Sequence, residues 1–475
     1  MTEDVEMKGP EGTESRALVV DDVKQSFAYL EKAVSNFDPR FTLRVLRGLP
    51  ALRKRVDGEV IAQIVQDTYP DNEVKQTLLK FAGASAPNST SGGESVLPEV
   101  DIFVHLLIVV WLYHGGRSSE FQELVQITVR RLREYNRRSL DYLGAKVWFY
   151  YSLSVEGTSK FEEIRPELLS ALRTATLRRD VETQASLITL LLRNYLSTNK
   201  VSQAANLVSK TNFPELASNA LAARYYYYLA RINAIQLNYS AAYERVTSAI
   251  RKAPQTSQTV GFLQAAHKLS IVVEMLMGDI PERTVFKQPS LEKSLQPYFD
   301  VARAVRAGDI TQFTETIRHH SGALRRDGTY SLVLRLRQNV IKTGIRIMSL
   351  TYSRISLKDI CLRLHLDSEE SAEYIVSKAI RDGVIDASID HERGFMQSNE
   401  VVDVYSTAEP QDSFHERIKF CISLHNDSVK SMRYLMNDHR KDLKTAEEAR
   451  EREKELVSEI QDTTDFDDDE GDFDL

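Results

Sequence analysis

Apolar residues between Leu332 and Ser398 recur first at every third or fourth position and then at every second position. The first spacing is typical of amphipathic helices, the second of β-strands. Ser356 and the run 367–370 suit helix starts, Gly383 suits a helix end, and residues 391–394 suit a turn. The stretch therefore predicts three helices, the first of them long, followed by a β-hairpin, as in a winged helix. The apolar helical positions are Leu332, Leu336, Val340, Ile341, Ile345 and Met348; Leu357, Ile360, Cys361 and Leu364; and Ala372, Ile375, Val376, Ala379 and Ile380.

Helical periodicity also dominates the sequence before this stretch. Across residues 99–325 strand-like alternation is absent, and short Gly, Pro and Asn turns recur. One segment matches the tetratricopeptide spacing, in which antiparallel helices approach closely because a small residue faces a large one. We therefore expect a TPR-like solenoid, with antiparallel helices lacking true repeats as the alternative. The matching residues are Tyr226, Leu229, Ala230, Tyr239, Ala242, Val246, Ala249 and Pro254, with a weaker copy at Leu191, Tyr195, Val201, Ala204 and Val208.

The flanking sequence divides into further segments. Residues 1–16 are polar and are expected to be disordered, residues 17–82 to be helical, and residues 83–98 to be a flexible linker. After the hairpin a long helix is predicted over 410–460, and its second half is charged almost all round. The acidic tail 461–475 is expected to be disordered. The apolar stripe of the long helix consists of Phe414, Ile418, Ile422, Val429, Met432 and Met436.

Composition is that of a soluble globular protein, with 42% hydrophobic and 27% charged residues. Two cysteines cannot build a disulfide framework, and the N-terminus does not resemble a secretory signal. The longest apolar run, Ile102–Tyr113, is shorter than the roughly 20 residues needed to span a bilayer. We expect a mostly α fold without a membrane segment: the solenoid, a winged helix over 326–400 with a small β-hairpin, and the long C-terminal helix.

The net charge of −7 comes from one end of the chain, because eight of the last fourteen residues are acidic. The remainder carries a net charge of +1. No field of the whole chain therefore attracts nucleic acid.

Recognisable catalytic, cofactor and metal motifs are absent from the sequence. His319 and His320 are adjacent and point to different faces of a helix, so they cannot share a metal. Cys361 and Cys421 lie on apolar stripes and are expected to be buried. We predict a non-enzyme with no catalytic residues, no cofactor and no metal.

A winged helix suggests DNA binding, but the charges here oppose it. The second helix of a helix-turn-helix meets DNA with its N-terminal residues. In this sequence that end carries Glu369, Glu370 and Glu373, which would repel phosphate. The edge strand of the hairpin is better suited to adding a strand from a neighbouring protein.

Helical repeats that lead into a winged helix resemble the PCI domain, here over about 220–400. PCI domains occur in the proteasome lid, the COP9 signalosome and the translation initiation factor 3 complex. A more specific resemblance is to non-ATPase lid subunits of the 26S proteasome regulatory particle. It is carried by residues 331–360, 379–398 and 404–435, which begin SLVLRLRQNV, AIRDGVIDAS and VYSTAEPQDS.

This resemblance implies a non-catalytic scaffold in the cytoplasm and nucleus that supports lid assembly and ubiquitin-dependent protein degradation. Its expected partners are other PCI-type lid subunits, a small acidic disordered lid subunit and the remainder of the 26S proteasome. A membrane is not expected, nor is nucleic acid. The alternative is a PCI subunit of the COP9 signalosome, of initiation factor 3 or of an mRNA-export complex, with possible RNA binding. The resemblance places wing contacts at Ile385, Ala387, Ile389 and Phe395, and helix-bundle contacts at Phe414, Ile418, Ile422, Val429 and Met432.

Overall fold

The computed structural model describes residues 11–70, 72–83, 96–135, 137–157, 161–366, 368–399, 405, 408–434, 445 and 447–454. These form two compact units, one up to Ile341 and one from Lys342. The predicted linker 83–98 falls largely outside the described residues, and the acidic tail 461–475 falls wholly outside them.

The first unit is an array of helices. Its helices are α1 (Glu11–Asn36), α2 (Pro39–Arg55), α3 (Gly58–Thr68), α4 (Glu73–Ala82), α5 (Pro98–His114), α6 (Ser118–Glu134), α7 (Asp141–Glu156), α8 (Phe161–Arg178), α9 (Val181–Ser197), α10 (Val201–Lys210), α11 (Asn219–Ile235), α12 (Tyr239–Lys252), α13 (Val260–Met277), α14 (Arg283–Phe286), α15 (Glu292–Ala307), α16 (Ile310–Arg326) and α17 (Tyr330–Arg335). Helix α18 (Arg337–Thr351) follows and continues into the second unit.

Small residues let neighbouring helices of the array pack closely. Helix α11 packs on α12, which in turn packs on α13. Ala230 on α11 and Ala242 and Ala249 on α12 have no exposed surface. Ala204, in the weaker copy of the pattern, is also fully buried. The predicted TPR-like arrangement is thereby confirmed.

Within the described part of the chain, one helix is long and apolar enough to cross a membrane by length and composition. It is α13 with the short turn before it, Ser257–Met277. This segment differs from Ile102–Tyr113, the longest apolar run in the sequence. Helix α13 packs against α12, α15 and α17. Packing against these three helices explains why α13 is apolar, as a core helix is.

Several helix boundaries differ from those predicted. Helix α1 begins at Glu11, six residues before the expected start at residue 17. The long helix predicted from Leu332 to Met348 is two helices, α17 and α18, separated at Leu336. Because α17 packs on α13 and α16, it extends the helical array and is not part of the winged helix.

The second unit contains the winged helix. After α18 it consists of β1 (Arg354–Ser356), α19 (Leu357–Arg363), α20 (Glu369–Arg381), β2 (Ala387–Asp390) and β3 (Phe395–Ser398), and it continues to α21 (Glu409–Tyr434). The Oγ of Ser356 accepts a hydrogen bond from the backbone N–H of Asp359 at 3.1 Å, and Ser368 caps α20 in the same way. Gly383 has a φ of 68°, a left-handed conformation that favours glycine after a helix. The predicted helix starts and the helix stop are confirmed.

The sheet of the winged helix has three strands in the order β1-β3-β2, and both pairs are antiparallel. The predicted hairpin supplies β2 and β3. Strand β1 was missed because its polar–apolar–polar pattern is only three residues long. It pairs Ile355 with Met396, and both side chains are buried.

A buried polar network joins the first helices of the array. Asp101 on α5 is 2% exposed, and its carboxylate accepts hydrogen bonds from Arg131 at 2.7 Å and Tyr69 at 2.6 Å. The Tyr135 hydroxyl donates to the same carboxylate at 3.0 Å. Burial, followed by the Asp101 charge, raises the pKa of Tyr69, so its hydroxyl remains a donor. Burial lowers the pKa of His105, which therefore packs beside Asp101 as a neutral imidazole.

We expect Asp101→Ala to destabilise the protein by about 3–5 kcal/mol, because it removes the carboxylate acceptor of Arg131 and leaves the buried Tyr69 hydroxyl only a long contact, 3.4 Å, to the backbone oxygen of residue 101. Chemical denaturation monitored by circular dichroism measures the loss. The control is Asp67→Ala, which removes the exposed partner of Lys24 and should cost under about 1 kcal/mol. Equal losses for the two variants would contradict a central role for the network.

Asp141, at the start of α7, lies close to a second carboxyl group. Burial, followed by the charge of Asp180, raises the pKa of Asp141 to about 7. Asp180 is itself buried, and it caps α9 by accepting a hydrogen bond from the backbone N–H of Thr183 at 3.1 Å. The folded protein thus holds a proton on Asp141 that the unfolded chain releases near its ordinary pKa of 3.8.

The stability of the protein should therefore fall as pH rises from about 4 to about 7, because the folded state binds more protons over that range. Asp141→Asn removes the ionisation. We expect this variant to melt a few degrees above the wild type at pH 8 and at nearly the same temperature at pH 4.5. Thermal melts across this range test the expectation, and a melting difference that does not depend on pH would refute it.

Candidate interaction surfaces

Among the described strands, β2 forms an outer edge of the wing, which is the hairpin of β2 and β3. The backbone oxygen of Asp386 accepts a hydrogen bond from the N–H of Asn399, and that of Asp390 accepts one from the N–H of Gly394. The backbone N–H and C=O groups of the even-numbered residues of β2 therefore point towards β3. Backbone groups alternate in direction along such a strand. The N–H and C=O groups of Ala387 and Ile389 therefore point away from β3. They form the part of this edge that can pair with another strand.

Two of the four predicted wing contacts have side chains in the interior. Ile385 is 5% exposed and Ala387 is 7% exposed, while Ile389 and Phe395 are half-buried. The face that the alternation marked at Ile385 and Ala387 is therefore the core face. Contacts of this strand with a partner remain a prediction. Pairing with another strand would use the backbone groups of β2 and does not need these side chains.

The opposite edge of the sheet, β1, carries a basic residue over an aromatic ring. The guanidinium carbon of Arg354 lies 3.5 Å from the centroid of the Phe395 ring. This cation–π contact covers one face of Phe395 and reduces what the ring can offer to a partner. The sequence pattern did not reveal it, because nothing in that pattern placed Arg354 on a strand beside Phe395.

The N-terminal end of α20 carries acidic charge at the surface. Glu369 and Glu370 are exposed. Glu373, one turn further, contacts Nδ1 of His391 in the hairpin turn at 2.8 Å. The carboxylates expected to oppose DNA phosphate thus lie on the helix end and beside the wing.

Helix α21 exposes its apolar stripe. Every residue from 411 to 428 is exposed, and Val429 is half-buried. Phe414 is 63% exposed, Ile418 and Ile422 are each 55% exposed, and Met432 is 74% exposed. The predicted long helix is described as α21 and as a helical stretch at 447–454, and Met436 lies outside the described residues. Bundle contacts by these residues remain a prediction, and their exposure leaves them available for one.

Two further apolar residues of α21 were not predicted as contacts. Phe420 is 68% exposed and Leu424 is 57% exposed, and both lie away from the main stripe. Their spacing of four residues was the signal in the sequence. Cys421 is exposed and not buried as expected, because its stripe has no covering element among the described residues.

The His, Cys, Asp and Glu side chains of the described residues do not gather into a metal-binding cluster. Among them there is no group of three or more His, Cys, Asp or Glu side chains that could hold a metal. His320 contacts Asp300 at 3.1 Å on the array, apart from any such group. Cys361 is half-buried, and its Sγ donates to the carbonyl oxygen of Leu366 at 3.2 Å.

A helical array that continues into a winged helix defines a PCI-domain protein, and residues 317–400 match the family described as PCI domain. Residues 15–302 match the family of "PSMD3-like, N-terminal TPR repeats". Residues 403–469 match the family that describes the C-terminal part of proteasome regulatory subunits. The chain belongs to the family of 26S proteasome non-ATPase regulatory subunit 3.

Similar proteins carry that description. The chain is 50% identical over 470 residues to "Probable 26S proteasome regulatory subunit rpn3" of Schizosaccharomyces pombe, covering 97% of this chain and 94% of the relative. It is 45% identical to "Probable 26S proteasome non-ATPase regulatory subunit 3" of Anopheles gambiae, with 98% and 96% covered. It is 41% identical to "26S proteasome regulatory subunit RPN3" of Saccharomyces cerevisiae, with 85% and 84% covered.

Proposed function

We propose that this chain is a non-catalytic structural subunit of the lid of the 26S proteasome regulatory particle. In this role it joins other PCI-type lid subunits and supports ubiquitin-dependent protein degradation. The relatives above are all named as proteasome subunits, which favours this role over the COP9 signalosome, initiation factor 3 or mRNA export.

The observation that carries the proposal is the exposed apolar stripe of α21. Burying apolar surface yields about 25 cal/mol per Å². A helix of 26 residues with such a stripe in water therefore gains stability by packing against other helices. A helix bundle built from several subunits satisfies this requirement, and it gives the family's C-terminal segment a role in assembly.

The wing supplies a second contact in this proposal. Because Ala387 and Ile389 direct backbone groups to the free edge, the sheet can be extended by a strand from a neighbouring protein. Strand β2 is only four residues long, so we propose that pairing at this edge sets the orientation and register of the contact. The larger apolar contact is assigned to α21.

Three further aspects belong to the same proposal. The chain acts without catalytic residues, consistent with the description of its relatives as regulatory and non-ATPase subunits. Its partners include the remainder of the 26S proteasome and the small acidic disordered lid subunit. Its compartments are the cytoplasm and the nucleus.

We expect Ile418→Asp combined with Ile422→Asp to lower incorporation into the 26S particle more than about tenfold, because docking would bury two unpaired charges. The isolated variant should keep its wild-type circular dichroism, since both side chains are exposed in the free chain. Native electrophoresis of cells that carry a tagged variant measures incorporation. Ser413→Asp with Ser423→Asp adds the same charge away from the stripe and is the control. Normal assembly of the Ile418/Ile422 variant would refute the bundle contact.

The wing contact is tested by Ile389→Pro. Proline removes an N–H that points away from β3, so the sheet should persist while strand addition is lost. Ile389→Ala shortens the same side chain but keeps the N–H, and it controls for lost packing. We expect only the proline variant to dissociate more readily from its neighbour in the particle, as measured by copurification at rising salt. The same behaviour of both variants would exclude backbone pairing at this edge.

A further inference from the structure

The acidic residues of α21 lie away from its apolar stripe. Successive residues on a helix are rotated by about 100°. On that basis Glu409, Asp412, Glu416 and Asp427, which are the four acidic residues of α21, lie about 120–180° from Ile418. All four are therefore on the side of the helix opposite the stripe.

Several basic residues border the stripe instead, whereas Lys430 lies about 120° from Ile418, in the same sector as Asp412. Arg417 and Lys419 lie about 100° to either side of Ile418, and His415 lies about 60° away. All three are exposed. These are the positions that flank the apolar seam when two helices pack, and in coiled coils charges at such positions select the partner.

The stripe also has the shape that receives a partner's side chain. A shallow groove of about 320 Å³ is lined by Phe414, Arg417, Ile418, Cys421, Ile422 and His425. Residues 418, 421, 422 and 425 have the i, i+3, i+4, i+7 spacing of the four residues that form a hole in knobs-into-holes packing. Arg417 stands at the border of this hole.

We propose that the helix which packs on this face is an amphipathic helix of another protein, with acidic residues flanking its own apolar stripe. This inference deepens the proposed function and rests on it, because it states the chemistry of the partner at the bundle contact. Each acidic flank would meet Arg417 or Lys419 across the seam. The pairing selects the correct helix among those that offer a similar apolar stripe.

Two other occupants fit the charges and composition less well. A second copy of α21 would bring Arg417 and Lys419 of one helix against the basic flank of the other, in either orientation. The described helical stretch at 447–454 of the same chain has the sequence EEAREREK. It contains no apolar residue larger than alanine and cannot fill the groove.

Two synthetic helical peptides test the inference. Both carry the same Leu and Ile stripe in heptad spacing, one flanked by Glu and the other by Lys. Binding to the full chain is measured by fluorescence anisotropy at about 50 mM and about 500 mM salt. We expect the Glu-flanked peptide to bind at least about tenfold more tightly at low salt, with the difference shrinking at high salt.

Variants of the chain make the test specific. Arg417→Glu with Lys419→Glu should reverse the preference between the peptides, while Glu416→Lys with Asp427→Lys, on the far side, should leave it unchanged. Equal affinities, a preference for Lys flanks, binding of neither peptide, or no reversal would each overturn the inference. If Ile418→Asp with Ile422→Asp blocks incorporation while Arg417→Glu with Lys419→Glu assembles normally, this inference fails and the proposed function stands.

Discussion

Close approach of neighbouring helices, made possible by buried small residues, is the contact on which the array depends. Ala230, Ala242 and Ala249 have no exposed surface where α11, α12 and α13 pack in sequence. A larger side chain at any of them would push two helices apart and move the helices that follow. Interiors are close-packed, so such a shift is not absorbed locally.

The same requirement for burial is unmet on α21. Helices of the array cover their apolar faces with neighbours from the same chain, and the long apolar helix α13 does so against α12, α15 and α17. Helix α21 has an apolar stripe that is more than half exposed at Phe414, Ile418 and Ile422. A contiguous apolar face that stays exposed in its own chain is typical of a site that meets another molecule. This contrast, rather than any catalytic geometry, is the strongest functional signal in the described part of the molecule.

The polar groups described above serve mainly to hold structural elements in position. Asp101 orders Tyr69, Arg131 and Tyr135 inside the array, and its hydrogen bonds satisfy groups that would otherwise be buried without partners. In the winged helix, Glu373 contacts the hairpin turn through His391. These groups fix the positions of neighbouring helices in the array and of the hairpin turn beside α20.

The sequence alone determined the helical class, the order of array, winged helix and C-terminal helix, the cap at Ser356 and a helix start within residues 367–370. These features depend on local periodicity and local hydrogen bonds, which a linear pattern records. It also located the stripe of α21, because helical spacing fixes which residues share a face.

Only the tertiary structure decided which of those faces are covered. The period of two placed Ile385, Ala387 and Ile389 on one side of a strand but could not say whether that side faced the core or a partner. Strand β1 is too short to show a period, and it becomes a strand because β3 lies beside it. The break at Leu336 follows from α17 packing on α13, a contact between residues distant in sequence. Burial and long-range pairing are properties of the folded chain, so the interior role of Ile385 and the exposure of Cys421 could be learned only there.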